Sequence, residues 1–473
     1  MRHTARSTVV LAGLTAMLVA GPLVGPANAA PTATITLNGS SATVSGSNVT
    51  VAGGAITITA PGTYQISGTL NNGYVKVDTA AAGAVELLLS GASITNSSSS
   101  ALHVAAADVV TVTLASGTSN TLTDASRYTN TDEPDAALFS TADLTIAGSG
   151  SLTVRANYQD GIVSKDDLVI QSGTITVNSV DDAIRGKDSL TINGGTINVT
   201  STGGDGIKSN ETEAGKGVVN IANGTISVSA ADDGIKGENA LNISGGNINV
   251  TRSYEALEAM QVTISGGTSN VVASDDAINS AEEGVPDFTP APNAFIRVTG
   301  GSTVASSGTD GFDSNGSLTF SGGTVVVNGP TSGIRGGDGA LDADGTISFS
   351  GGVVLGAGMT SLAVFNTVPA NGQGWVAPVF SSNQAAGTIV HVVSGTQVLA
   401  SYRAPKGFRE IVFSSNRITN GQTYTIYTGG SVSGTSTGGL YSSGSISGAT
   451  QTMTVTAGQY RRGGWPRSAG TQG

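Results

Sequence analysis

Short stretches in which aliphatic or β-branched residues alternate with polar residues recur along most of the chain. Examples are LTI at 190–192, TINV at 196–199 and LNI at 241–243. An alternation with a period of two is typical of half-buried β-strands. Gly-Gly or X-Gly pairs separate these stretches at 172–173, 194–195, 223–224, 245–246, 266–267, 300–301, 322–323 and 351–352. The pattern predicts many short strands joined by tight turns.

A second marker, an acidic residue followed by a small and then a large apolar residue, occurs once per repeat. Most successive acids are 21 to 23 residues apart, and the intervals of 28 and 34 residues fit one repeat with an insertion. A fixed period of this length indicates stacked repeats. Three strands and three turns per repeat predict an all-β solenoid, one coil of a parallel β-helix each, and the composition excludes an α-solenoid. The marker acids are Asp160, Asp182, Asp205, Asp233, Glu255, Asp276 and Asp310.

The composition of the chain limits the kinds of partner that the protein is expected to bind. The chain has 473 residues, 68 glycines, no cysteine and a formal net charge of −12. The absence of cysteine means that no disulfide holds the fold together. A negative charge of this size argues against nucleic acid as a partner and suits a protein that handles cations.

The N-terminus has the features of a signal peptide. Arg2 and Arg6 precede an apolar stretch at 9–24, and the ANA sequence at 27–29 fits a cleavage site. A membrane anchor is the alternative, but glycines and prolines interrupt the apolar stretch. We therefore predict a secreted protein that is cleaved near Ala29. No other stretch is long and apolar enough to span a bilayer, so no membrane partner is expected.

Changes in pattern divide the chain into five parts. We predict a signal peptide at 1–30, an N-terminal cap with early coils at 31–135, regular coils at 136–365, a small C-terminal β-module at 366–460 and a flexible tail at 461–473. Insertions at 210–217, 281–292 and 336–345 are expected to form loops on one side of the repeats. They are either part of a binding surface or tolerated growth without a function. The protein is expected to act as a monomer.

The row of acids poses an electrostatic problem. Equivalent side chains on stacked strands lie about 4.8 Å apart. Two carboxylates at that distance repel by about 1 kcal/mol in water and by about 3–4 kcal/mol at an effective dielectric constant near 20. The row is therefore expected to need protons, cations or hydrogen bonds. One alternative is that each carboxylate accepts a hydrogen bond from backbone N–H groups of its own turn.

The residue three places after each acid divides the row into two zones. In the first zone this residue is basic, and acid and base can neutralise each other if the turn directs both outward, since residues three apart in a strand face opposite ways. The second zone offers only oxygen ligands without a base, which favours Ca²⁺. Zinc would require His or Cys, and His3, His103 and His391 are far apart in the sequence. The basic residues are Arg185, Lys208 and Lys236; the second zone contains Glu255, Glu258, Asp275, Asp276, Asn279, Asp310 and Asp313.

Four sequence phrases carry a resemblance to a known family. They are SYEALE at 253–258, SDDAIN at 274–279, GTYQISG at 62–68 and YTIYTGG at 424–430. The chain resembles, over roughly 50–450, the secreted calcium-binding β-helix carbohydrate-binding proteins of cellulolytic clostridia. The resemblance implies a right-handed parallel β-helix like that of pectate lyases, bound calcium, and binding of pectin and cellulose without established catalysis. It implies calcium ligation by Glu255, Glu258, Asp275, Asp276 and Asn279, and less directly by Asp182, Asp205, Asp233, Asp310 and Asp313.

Three functions remain open at this point. In a calcium-dependent binder of acidic or neutral cell-wall polysaccharide, calcium bridges protein and uronate carboxylates, while Arg185, Lys208 and Lys236 pair with the polymer directly. In a pectate lyase acting by β-elimination, Lys208 or Lys236 would be the neutral base. In a surface or adhesion solenoid, calcium would only hold the coils together. Tyr158 and Tyr254 are candidates for sugar stacking, with packing at the rim as the alternative.

Overall fold

The computed structural model describes residues 30–129, 133–286, 288–331, 339–359 and 372–460. The predicted signal peptide, apart from Ala30, and the predicted tail lie outside these ranges. Within them the chain is all-β, which confirms the predicted class, and no helix there is long and apolar enough to cross a membrane.

Among the described residues, ten strands precede the acidic repeats, and two antiparallel pairs lie at the N-terminal end of these strands. The first strand pairs with the second and the third with the fourth in antiparallel fashion, while later strands pair in parallel with strands further along the chain. Antiparallel pairing at this end covers an edge that would otherwise expose unpaired backbone groups. The strands are β1 (Ala33–Gly39), β2 (Ala42–Gly46), β3 (Val49–Ala52), β4 (Ala55–Ile58), β5 (Gly62–Leu70), β6 (Tyr74–Asp78), β7 (Ala84–Thr95), β8 (Leu102–Ala106), β9 (Val109–Leu114) and β10 (Ser119–Thr123).

The acidic repeats form three runs of parallel strands, in which each strand pairs with its counterpart one repeat later. The first run contains β11 (Ala136–Ser140), β14 (Asp160–Ser164), β17 (Ile184–Gly186), β20 (Ile207–Ser209), β23 (Ile235–Ile243), β25 (Leu257–Ile264), β27 (Ile278–Ser280), β30 (Phe312–Ser314) and β32 (Leu341–Ala343). The second run contains β12 (Asp143–Gly148), β15 (Asp167–Ile170), β18 (Ser189–Ile192), β21 (Val218–Ile221), the later halves of β23 and β25, β28 (Phe295–Val298), β31 (Ser317–Asn328) and β33 (Ile347–Gly358). The third run contains β13 (Ser151–Arg155), β16 (Thr174–Ser179), β19 (Thr196–Ser201), β22 (Thr225–Ser229), β24 (Asn247–Arg252), β26 (Thr268–Val272), β29 (Ser302–Ser306) and the later halves of β31 and β33.

Identical or similar apolar side chains stack on one another from one repeat to the next, and they fill the core that the runs enclose. The apolar residue of each marker begins or enters a strand of the first run and lies opposite its counterpart in the next repeat. All seven are fully buried, and they make one continuous hydrophobic column: Ile162, Ile184, Ile207, Ile235, Leu257, Ile278 and Phe312. Burial of this column fixes the register, because a shift by one residue would turn it outward.

The glycine pairs permit close stacking of the turns. Gly267 has a φ of 75°, and a Cβ at this position would lie 2.7 Å from the carbonyl carbon of Gly245 in the preceding repeat. A larger residue would therefore be strained in its backbone and would also clash. The pairs at 245–246, 266–267 and 300–301 follow one another for this reason.

The C-terminal strands are antiparallel. Three of them, β34 (Trp375–Val376), β35 (Val379–Gln384) and β38 (Phe408–Ser414), close the last repeat, where β38 pairs with β33. The whole large sheet is thus mixed, parallel in the repeats and antiparallel at both ends. A separate sheet contains β36 (Ile389–Ser394), β37 (Gln397–Arg403), β39 (Thr423–Thr428), β40 (Ser431–Thr437), β41 (Leu440–Ser445) and β42 (Thr450–Thr456). The domain boundaries given above stay predictions.

Candidate metal centre and charge ladder

Two rows of side chains run side by side along the first run of strands. The acid row consists of the marker acids Asp160, Asp182, Asp205, Asp233, Glu255, Asp276 and Asp310. The partner row lies three residues after each acid from Asp182 onward and continues to Asp342, which follows Gly339 instead of an acid; its successive members are paired in parallel register. Its members are Arg185, Lys208, Lys236, Glu258, Asn279, Asp313 and Asp342.

The acid row is linked by hydrogen bonds from one repeat to the next. The Oδ1 atom of Asp182 accepts a bond from the backbone N–H of Asp205 at 2.9 Å, and Asp205 accepts one from Asp233 at 2.9 Å. Asp276 accepts one from Asp310 at 2.7 Å. The acids thus do bind backbone N–H groups, but the donor lies in the following repeat rather than in the acid's own turn. Each of these bonds uses one carboxylate oxygen of the accepting acid. It also holds the next acid on the same side of the strands.

In the basic half of the partner row, cationic side chains lie between the acids. Arg185 bonds Asp160 through Nε at 2.9 Å and Asp135 through Nη2 at 2.8 Å. The Nζ atom of Lys208 lies 2.7 Å from Asp205 Oδ2 and 3.5 Å from Asp182 Oδ2. The acid and base of one repeat therefore meet, because the acid precedes the strand and the turn directs both to one side.

Lys236 extends the basic half one repeat further than the sequence suggests. Its Nζ atom lies 3.0 Å from Asp233 Oδ2 and 2.5 Å from Glu258 Oε2. The prediction that Glu258 belongs to a zone without a base is therefore wrong. The base lies in the preceding repeat, and only the spatial register brings the two together.

The acidic half contains a compact group of oxygen ligands. Carboxylate oxygens of Asp276, Asp310 and Asp313 all lie within 4.8 Å of one another. Asn279 is in register with Asp313 and directs its Nδ2 to both Glu255 carboxylate oxygens at 3.0 Å. The Oδ1 atom of Asn279 is buried without a hydrogen-bond donor among the described residues. A buried acceptor of this kind next to three acids is what a bound hard cation would satisfy.

Burial and neighbouring acids raise the pKa values of carboxyl groups in this half. Burial, with the neighbouring Asp313 and Asp276 adding to it, raises the pKa of Asp310 to about 9. Burial and Asp276 raise the pKa of Asp313 to about 8. Burial and the adjacent Glu258 raise the pKa of Glu255 to about 9. Without a cation these carboxyl groups retain protons at neutral pH, whereas a metal ion would ionise them.

The other predicted residues lie at the margin of the rows. Asp275 accepts a hydrogen bond from Thr309 Oγ1, and its carboxylate raises the pKa of Tyr254 to about 12. Tyr254 is 49% exposed, so its ring is accessible. Tyr158 instead stacks on the buried Tyr128, with ring centroids 4.3 Å apart, which corresponds to packing at the rim.

Asp135, which the sequence argument did not single out, belongs to the site, and so does Asp342, which was assigned to the insertion at 336–345. The prediction that this whole insertion forms a loop is wrong for Leu341–Ala343, because these residues form β32 in parallel register with β30. Asp135 is the outer partner of Arg185, and Asp342 follows Asp313 in the partner row. Asp342 lies between the apolar residues Leu341 and Ala343, and this alternation could have indicated a strand. The long segment between β31 and β32 makes the interval from Asp313 longer than one repeat, so the position did not match the period.

The lysines have the wrong environment for the base of a lyase. Burial lowers the pKa of Lys208, but the neighbouring Asp182 and Asp205 more than offset this, and the pKa is raised overall. Burial also lowers the pKa of Lys236, but the neighbouring Asp233 and Glu258 outweigh this effect, and the pKa is raised overall. A neutral amine is therefore disfavoured at either position. The ion pairs also engage Arg185, Lys208 and Lys236 internally, and their direct pairing with a polymer stays a prediction.

The raised pKa values predict that, without divalent metal, stability falls as pH rises. Asp and Glu ionise near pH 4 in unfolded chains, whereas Glu255 and Asp310 keep their protons up to about 9 in the fold. The folded state binds more protons between these values, so the free energy of unfolding decreases with increasing pH across that window. Thermal unfolding in EDTA at pH 5, 7 and 9 should show this decline, and calcium should reduce it. Equal pH profiles with and without calcium would contradict the assignment.

Comparisons with known proteins show to which family the chain is similar. Residues 52–311, more than half of the chain, match the family model described as carbohydrate-binding domain-containing protein. A relative from Acetivibrio thermocellus with the same description is 42% identical over 126 residues, which are 26% of this chain and 44% of the relative. The chain thus spans less than half the length of that relative. A solved structure described as the polysaccharide lyase-like protein from C. thermocellum, a gadolinium derivative, aligns with a TM-score of 0.45 and 38% identity, over 46% of this chain and 90% of that one.

Proposed function

Since the chain belongs to the family of carbohydrate-binding domain-containing proteins, we propose that it is a secreted, calcium-dependent binder of acidic plant cell-wall polysaccharide such as polygalacturonate. Neutral cellulose is a second ligand to be tested. We further propose that the three runs of strands wind as a right-handed parallel β-helix, and the parallel pairing of every third strand supports this. The signal-peptide pattern supports secretion with cleavage near Ala29.

One observation carries the calcium proposal: the unsatisfied Asn279 oxygen beside the convergent carboxylates of Asp276, Asp310 and Asp313. Oxygen ligands in an irregular arrangement favour Ca²⁺ over metals that prefer nitrogen or sulfur. These four residues would hold the ion, with Glu255 positioning Asn279 through two hydrogen bonds. When bound, calcium would supply positive charge on a flank where the protein itself offers acidic groups and an amide.

A protein with a net charge of −12 needs such a local reversal of sign to bind an acidic chain. A uronate carboxylate would complete the coordination of calcium, in the way that oxygen ligands commonly share such an ion. Tyr254 stands beside Asp275 at the same end of the row, and its exposed ring would offer a stacking surface to a sugar. Repeats in register would place further carboxylates along the direction of an extended polymer.

Affinity electrophoresis tests this function. In gels that contain polygalacturonate, the protein should be retarded with calcium and should run freely with EDTA. A gel without polymer controls for the charge change caused by calcium, and a gel with hydroxyethyl cellulose tests a neutral ligand. Unchanged mobility in every gel would reject binding and leave the adhesion solenoid. Ultraviolet absorbance of an unsaturated product during incubation with polygalacturonate would instead establish the lyase.

A further inference from the structure

A second cleft lies in the C-terminal sheet, outside the residues that match the family model. Strands β37 and β41 pair only at Ser401–Tyr441 and Tyr402–Leu440. Beyond these two pairs the ladder stops, although Gly444 near the end of β41 still packs on Ser401, where a Cβ would lie 2.2 Å from the Ser401 Oγ. Two adjoining depressions of about 300 Å³ and about 290 Å³ lie beside these strands and share Leu399, Ala400, Arg417 and Tyr441 in their walls. Volumes of this size are at the lower end of those that hold small ligands.

Arg417 is fixed in this cleft by backbone groups. Its Nη1 atom donates to the carbonyl oxygen of Leu399 at 2.9 Å, and its Nη2 atom donates to that of Val398 at 3.2 Å. These carbonyls belong to the part of β37 that β41 leaves uncovered. A guanidinium has five N–H donors, so three remain for a ligand in a defined orientation.

Within the described part of the chain, Arg417 has no acidic partner. No Asp or Glu of the described residues lines either depression or forms an ion pair with this guanidinium. This contrasts with Arg185, Lys208 and Lys236, whose charges all lie within 4 Å of carboxylates. In a protein of net charge −12, an anchored cation without an acidic partner is suited to an external carboxylate.

The remaining walls suit a sugar. Tyr441 lines both depressions and offers an aromatic face, and Ser442 and Ser443 add hydroxyl groups. Aromatic faces combined with a few convergent polar groups are typical of small-ligand sites. We propose that this cleft binds one acidic sugar unit, with Arg417 holding its carboxylate and Tyr441 contacting its ring. The site would act without metal, so it is independent of the calcium-dependent proposal.

Calorimetric titration of the protein with trigalacturonate in EDTA tests the cleft apart from any calcium site. Wild type is expected to bind, and Arg417→Gln should weaken the affinity at least tenfold. The matched control is Arg403→Gln, which removes the same charge from an exposed position of β37 outside the cleft and should leave the affinity unchanged. Cellotriose should bind at least tenfold more weakly than trigalacturonate. Tyr441→Ala provides a second variant that leaves the carbonyl contacts of Arg417 intact.

Absence of trigalacturonate binding in EDTA would overturn the proposal, and so would equal affinity of wild type and Arg417→Gln. Equal losses in Arg417→Gln and Arg403→Gln would overturn it as well, since they would indicate a non-specific charge effect. If Arg417→Gln does not fold, the affinity of Tyr441→Ala decides, and an unchanged value rejects the site. None of these results affects calcium-dependent retardation by polygalacturonate, so the two proposals fail separately.

Discussion

The variant Asp313→Asn is expected to be more stable than wild type in EDTA and less stable than wild type in calcium. Burial and neighbouring acids raise the pKa of Asp313 to about 8, which means that its charged form is unfavourable in the fold. The neutral amide removes that cost when no metal is present. In calcium the same change removes a charged ligand. Wild type would gain about 2.7 kcal/mol at a free calcium concentration of 100 times Kd, and the variant would lose most of this gain.

Thermal unfolding at pH 8 in EDTA and in calcium measures both effects. A suitable control is Asp108→Asn, because Asp108 is exposed, lies among the early strands and belongs to none of the acidic groups of the described residues that could hold a metal ion. That variant should respond to calcium as wild type does. A fall in unfolding temperature of the same size in both buffers would show that Asp313 has only a structural role.

The variant Lys236→Gln is expected to be strongly destabilised in EDTA and partly restored by calcium. The ammonium group of Lys236 lies between Asp233, which is nearly buried, and Glu258. Removal of one partner from a buried ion pair costs about 3–5 kcal/mol, and we expect the lower end because Lys236 is partly exposed. Carboxylate oxygens of Asp233, Glu255 and Glu258 lie within 4.8 Å of one another, so calcium would then replace the lost ammonium.

Chemical denaturation of Lys236→Gln with and without calcium gives the two free energies of unfolding. Lys165→Gln is the matched control, because Lys165 forms an exposed ion pair with Glu133. Its loss should be below about 1 kcal/mol and should not depend on calcium. A loss in Lys236→Gln that calcium leaves unchanged would contradict the view that ammonium and metal serve the same purpose in this row.

These two predictions describe one principle. We propose that each step of the acid row is neutralised either by a cationic side chain or by protons that a metal ion can replace, and that the partner row determines which. Where the partner is Arg185, Lys208 or Lys236, the chain supplies the cation itself. Where the partner is Asn279 or Asp313, only ligand oxygens are present. A change of residue type along one line of the sheet thus separates self-neutralised repeats from those proposed to bind metal.

The sequence predicts the repeats and the acid row well because both depend on a constant period. Ile184 and Ile207 are each two residues after a marker acid, and both are fully buried in parallel register. Stacking carries this local spacing directly into space, so a residue such as Asp205 could be placed from its position within the repeat.

Contacts between repeats were harder to predict. The contact of Lys236 with Glu258 depends on the register of strands in successive repeats, whereas the sequence argument compared an acid and a base only within one repeat. Tyr158 stacks on Tyr128, which lies outside the marked repeats and therefore gave no periodic signal. The cleft at Arg417 lies where the ladder between β37 and β41 stops after two residue pairs, and no pattern in the sequence indicates where pairing stops.

Calcium binding to the stripped protein tests the central claim most directly. Wild-type protein is treated with EDTA, exchanged into metal-free buffer and titrated with calcium by calorimetry. The account predicts saturable binding that Asp313→Asn greatly weakens and Asp108→Asn leaves unchanged. Absence of saturable calcium binding to the folded wild-type protein would contradict it.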